Sequence, residues 1–247
     1  IIFQNPLADP YIIGIASSAT FGAVIAYLLK LPEFFYGIVA FICCMVSTLL
    51  IFKISKRGNK IEVNTLLIVG ITLSSFLAGF TSFAIYMIGE DSFKITMWLM
   101  GYLGNASWNQ IVFLIIPLIF SSAYFYAKRN ELDILMLGDE QAHSLGIDIA
   151  KLKFHLLIVS SFVVAYSVTF TGMIGFVGLI SPHIARRLVG ADHAYFLPLT
   201  GLIGAILVVT ADWIGRAIIA PDEILLGIIV ALIGAPYFLY ILAKTKV

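Results

Sequence analysis

The stretch from Thr171 to His193 reads TGMIGFVGLISPHIARRLVGADH. Its first half is apolar and spaced by Gly172, Gly175 and Gly178, and it runs directly into Pro182, His183, Arg186 and Arg187. The chain on either side is almost continuously apolar. Residues are 61% hydrophobic and 12% charged, with a mean hydropathy of +1.03, where soluble domains hold roughly 45–50% apolar and about 25% charged residues. One crossing of a bilayer takes about 20 residues, so 247 residues leave room for about eight crossings and no sizeable extramembranous domain. The fold class expected is therefore all-α, a polytopic transmembrane bundle over residues 1–247. A net charge of +1 gives no reason to expect nucleic acid as a partner.

Cutting the sequence at its polar breaks predicts spans at about 11–29, 36–53, 64–88, 109–127, 153–170, 173–190, 197–217 and 224–243. The sixth is short, glycine-rich and interrupted by Pro182. Orientation follows from the basic residues, which concentrate on the cytoplasmic side. If residues 5–10 face the cytoplasm, 12 of the 15 lysines and arginines do as well, and only Lys30, Lys94 and Arg216 lie outside. The C-terminus is then cytoplasmic. The longest cytoplasmic stretch is Lys128–Lys153, which has the pattern of two short amphipathic helices. Asp139 and Glu140 suit a helix start and Gly146 a helix end.

No catalytic constellation is present. The sequence lacks a GxxxxGK[ST] phosphate loop, a GxSxG-type serine and a pair of intramembrane aspartates. Cys43 and Cys44 are neighbours in an apolar run and read as small buried hydrophobes. His183 and His193 are ten residues apart with no HxxxH or HExxH spacing, so neither is expected to hold a metal. Asp212 and Arg216 share a helix face and could offset each other's charge. The third span is rich in hydroxyls, Thr72, Ser75 and Ser82 among them, which either bond back to the helix carbonyls or line a path. Trp98 and Trp108 suit interfacial anchors.

Three motifs in order, NPLADP at Asn5–Pro10, GDEQAHSLGID at Gly138–Asp148 and the Thr171–His193 stretch, closely resemble the FecCD/BtuC-type permeases of type II ABC importers. The resemblance runs the length of the chain. It implies roughly ten helices in a whole protein, with about two preceding residue Ile1, which is not a methionine. It also implies a homodimer in the inner membrane of a prokaryote, two copies of a separate ATPase that carries ATP and Mg, and an extracytoplasmic binding protein. Nothing is expected to be bound by this chain as a cofactor.

The residue roles implied are as follows. Asp139, Glu140, Ala142, Leu145 and Gly146 within the 128–153 loop would dock the ATPase, with Leu145 as the knob and Ala142 permitting close approach. Asn5, Leu7 and Asn64 would form a cytoplasmic gate, where Val63 departs from the polar residue of the pattern. Arg216 would contact the binding protein, and Thr72, Ser75 and Ser82 are candidates for the pathway. The cargo implied is a metal chelate: iron–siderophore as the family's commonest, with haem, cobalamin or a molybdate-type oxyanion open. The competing class is an ion-coupled secondary transporter, for which Asp212 is the sole embedded carboxylate, beside Arg216.

Overall fold

Apolar runs without water to bond their peptide groups have one local solution, the helix, and helices account for nearly all the structure. The computed structural model describes residues 14–32, 34–57, 60–89, 92–104 and 106–244. The elements in order are α1 (Ile15–Leu28), α2 (Phe34–Ser55), β1 (Lys56–Arg57), β2 (Lys60–Ile61), α3 (Val63–Ile88), α4 (Ser92–Leu99), α5 (Trp108–Ala127), α6 (Arg129–Leu135), α7 (Asp139–Ser144), α8 (Ile149–Thr171), α9 (Val177–Val189), α10 (His193–Ile218) and α11 (Leu226–Lys244). The two short strands pair antiparallel, Lys56 opposite Ile61 and Arg57 opposite Lys60.

Among the described residues five helices, Phe35–Ser55, Asn64–Ile88, Trp108–Ala127, Ile149–Thr171 and His193–Ile218, are long and apolar enough to cross a membrane, while Ile15–Leu28 and Leu226–Ile241 are shorter apolar helices. The expected sixth span, 173–190, is different in kind. Its helix, α9, has 13 residues and is about 20 Å long, short of a bilayer's hydrocarbon core. The residues before it are not helical.

The cause is Gly172. Its φ of 68° ends α8 in the left-handed region, which a side chain would resist. A Cβ there would also overlap the carbonyl oxygen of Trp98. The Tyr102 amide donates to the Thr171 carbonyl at 3.1 Å, and the Gly227 amide donates to Met100 at 3.1 Å. Three backbones thus meet at Gly101, Gly172 and Gly227, and their contacts replace the hydrogen bonds that a continuous helix would have made. Phe176, with φ of 63°, starts α9 and packs over Gly234 of α11.

The core is in three parts. Ile15, Ala19, Ala40, Cys44, Leu66 and Leu157 join α1, α2, α3 and α8. Gly22 lets α1 lie against α2, since a Cβ on it would fall 2.7 Å from the Ala40 Cα. Between α2 and α8 the hydroxyls of Thr48 and Ser161 bond at 2.8 Å, and the Cys44 thiol donates to the Ile15 carbonyl at 3.1 Å. A second cluster joins α6, α7 and α8, and a third joins α10 and α11 with partly buried residues of α9.

These glycines make a sharp contrast in tolerance. Gly172→Val and Gly227→Val are expected to cost about 3 kcal/mol or more and to lose most folded protein in detergent. Gly175→Ala, where a Cβ meets nothing within 4 Å, should melt within about 1 kcal/mol of wild type. Thermal unfolding followed by size-exclusion chromatography reads both.

Candidate functional site

The helices α6 and α7 lie at the end of the bundle where Lys53, Lys56, Lys128, Arg129, Lys151 and Lys153 gather. They are the two short helices expected between residues 128 and 153, with Gly138 (φ 109°) between them and Gly146 (φ 84°) after. Gly146 closes α7 in a Schellman arrangement. Its amide donates to the His143 carbonyl at 3.0 Å, and the Ile147 amide donates to Ala142 at 3.1 Å. Asp148 then caps α8 by accepting from the Lys151 amide at 3.1 Å.

The apolar residues of this loop divide in two directions. Leu132, Leu135 and Ala142 are buried against α8. Ala142 is fully covered, so the close approach it permits is to its own chain and not to an outside surface. Met136, Leu137 and Leu145 face outward, with Leu137 59% and Leu145 60% exposed. An apolar tip in a charged, water-facing loop costs free energy unless something covers it.

An ion pair and a carboxylate–imidazole hydrogen bond hold the tip from behind, and neither was legible in the sequence. Asp139, the first residue of α7, accepts both 2.9 Å and 2.8 Å hydrogen bonds from the Lys153 ammonium on α8. Lys153, counted above among the cytoplasmic positive charges, is 1% exposed. Asp133 on α6 bonds the ring Nδ1 of His193 and accepts from the His193 amide at 3.2 Å, which ties α6 to the first residue of α10. The signal that could have found Lys153 is its position inside an apolar helical run, where a cation needs a partner.

Nearer the surface, Lys128 and Glu131 pair at 2.7 Å. The hydrogen bond from Lys128 holds the Glu131 carboxyl below the ordinary carboxylate range and raises the lysine. A cleft of about 980 Å³ separates the end of α2 from α7 and α8, lined by Phe52, Lys56, Asp139, Glu140, His143 and Lys151 among others.

The remaining expected residues are dispersed. Asn5 and Leu7 lie outside the described residues. Asn64 is exposed at the start of α3. Thr72, Ser75 and Ser82 share one exposed face of α3 with Gly79, and the first two hydroxyls donate back to Ile68 at 2.8 Å and Ile71 at 3.0 Å. Thr72 and Ser75 thus bond back to the helix carbonyls, and the face they share with Ser82 is exposed. Arg216 sits at the opposite end of the molecule. It donates to Asp212 at 2.8 and 3.3 Å and to Glu223 at 3.2 Å. His183 packs its ring edge-on to Tyr237 of α11, and Trp108 is 83% exposed at the start of α5.

The FecCD transport family model matches residues 1–244. The chain belongs to the FecCD transport family. It is 38% identical over 248 residues to the cobalamin import system permease of Halobacterium salinarum, covering 99% of this chain and 66% of that one. It is 32% identical to the hemin transport system permease HmuU of Yersinia pestis, at 99% and 75% coverage, and 34% identical to the molybdate import system permease MolB of Haemophilus influenzae, at 99% and 73%.

A solved structure described as an inward-facing conformation of a metal-chelate type ABC transporter superposes with a TM-score of 0.91 at 32% identity, covering 98% of this chain and 78% of that one. The PsaBC structure from Streptococcus pneumoniae, at 17% identity and a TM-score of 0.65, shares the fold. The family is one of ABC importer permeases, and the chain is a multi-pass membrane protein.

The Asp139–Lys153 pair should behave as a buried charge with one rescuer. Asp139→Ala leaves the ammonium alone and is expected to cost about 3–5 kcal/mol, whereas Asp139→Leu with Lys153→Met should fall near wild type, read as a double-mutant cycle on thermal unfolding. The surface pair gives a pH signature. Because Glu131 titrates lower when folded, its contribution is present above the ordinary carboxylate range and fades as pH falls through the lowered value. Glu131→Gln should flatten that acid limb by no more than about 1 kcal/mol.

Proposed function

We propose that this chain is the membrane-spanning permease subunit of a binding-protein-dependent ABC importer, carrying a metal chelate into the cytoplasm. Membership of the FecCD family and matches over nearly all of this chain to permeases named for cobalamin, hemin and Fe(3+)-citrate import support that reading. An iron–siderophore is the cargo proposed first, with other metal chelates and molybdate next. The observation that carries the mechanism is the outward-facing apolar tip Met136, Leu137 and Leu145, seated on a charged loop and braced by the Asp139–Lys153 ion pair and the Asp133–His193 hydrogen bond.

In this reading the tip, with Asp139, Glu140, Leu145 and Gly146, docks a separate ATPase that binds ATP and Mg. Two permease copies and two ATPases make the working unit. ATP-driven closure of the ATPase pair moves α6 and α7, and the bundle exchanges between two packings that open its path to opposite sides. The exposed hydroxyl face of α3 with Thr72, Ser75 and Ser82 is the surface proposed to line the path, with Asn5, Leu7 and Asn64 closing it on the cytoplasmic side. Arg216, held by Asp212 and Glu223 but still partly exposed, is proposed to meet a carboxylate of the binding protein.

The test is co-purification of the full-length protein with its ATPase, followed by ATP-dependent uptake in proteoliposomes. Wild type should retain the ATPase stoichiometrically, and Leu137→Asp with Leu145→Asp should weaken retention by about 10-fold or more, since each buries a charge at the centre of an apolar contact. A wild type that binds no ATPase, or that takes up cargo on an ion gradient alone, would overturn the importer in favour of a secondary transporter.

A further inference from the structure

We infer that Lys153 and His193 are positioning residues through which displacement of the α6–α7 tip is delivered to α8 and α10; this rests on the importer reading above. The geometry is specific. The tip residues Met136 and Leu137 fall between Asp133 and Asp139, and each of these two carboxylates is bonded to a different long helix. Lys153 lies in the second turn of α8, and His193 is the first residue of α10. Both receiving side chains are buried, at 1% and 0% exposure, whereas both carboxylates reach into the water-facing loop.

A surface salt bridge would slip under load, because water replaces either partner at little cost. A buried lysine gripping both oxygens of one carboxylate cannot release it without stranding its own charge. The Asp133 contact is likewise doubled, through ring and amide of His193. The peptide link between α7 and α8 is the turn at 145–148, with Gly146 at φ 84°. The Lys153 bond fixes the other end of α7. With both ends held, a push on Leu137 moves α8 and α10 rather than rotating the loop.

The experiment uses the full permease reconstituted with its ATPase in nanodiscs, so that no cargo need be known. Spin labels at Tyr86→Cys and Ile218→Cys, both exposed at the end remote from the tip, report the distance between α3 and α10 in a background with Cys43 and Cys44 replaced by serine. ATP with vanadate should shift that distance in wild type. Lys153→Met, and separately His193→Leu, should keep ATPase binding and keep hydrolysis within about twofold, while the fraction shifted falls about fivefold or more.

Lys153→Arg, which preserves the ion pair, should retain the shift. The apolar pair Asp133→Leu with His193→Leu, which leaves the docking residues intact, should melt near wild type and remain uncoupled, which separates transmission from folding. A full shift in Lys153→Met or in that apolar pair would overturn the inference, as would loss of ATPase binding in Lys153→Met or a wild-type distance that ignores ATP. Absence of any ATPase on the wild type would instead remove the importer reading itself.

Discussion

A peptide group in hydrocarbon has no water to bond, and the architecture of this permease is set by that constraint. It explains why the chain resolves into helices and why the departure from helix at Gly172 to Phe176 is enclosed by other backbone. Glycine at 101, 172 and 227 lets three main chains come within bonding distance, and the Tyr102 and Gly227 amides find carbonyls there. Lipid could not have supplied those partners. The break divides what would have been one long return crossing into an irregular segment and the short helix α9.

The same scarcity of solvent explains the basic end. Lys153 is tolerable inside the bundle because Asp139 reaches it, and the loop is shaped by that need: Gly138 turns the chain so that Asp139 opens α7 at the right place. Capping and closure of α7 are local matters, handled by Gly146 and Asp148. Its direction in space is a tertiary matter, handled by Lys153 and, through α6, by His193. The outward set of Met136, Leu137 and Leu145 is what remains when Leu132, Leu135 and Ala142 have been buried. The loop therefore offers an apolar contact on one side and a rigid charged mount on the other.

Much of this was legible in residue order. The long spans were found to within a few residues, because about 20 consecutive apolar residues are hard to mistake. The two short helices and their glycine bends followed from the pattern of Lys128 to Lys153. The failures share one cause. The stretch 173–190 was expected as a span because hydropathy does not register a left-handed glycine. Ala142 was expected at an outside contact because its small size permits close approach without saying to what. The burial of Lys153 was not foreseen because its partner is 14 residues away on another helix.

By itself, the sequence determined the fold class, the helical segments, the polar breaks and the family, since each of these depends on composition and on patterns only a few residues long. Which charges are buried, which face of α3 stays open, and how the tip is anchored were decided by tertiary structure alone. Asp133 and His193 stand 60 residues apart, and their bond exists only because α6 and α10 are packed together. A contact of that kind has a low-dielectric environment and a fixed geometry that no local pattern carries.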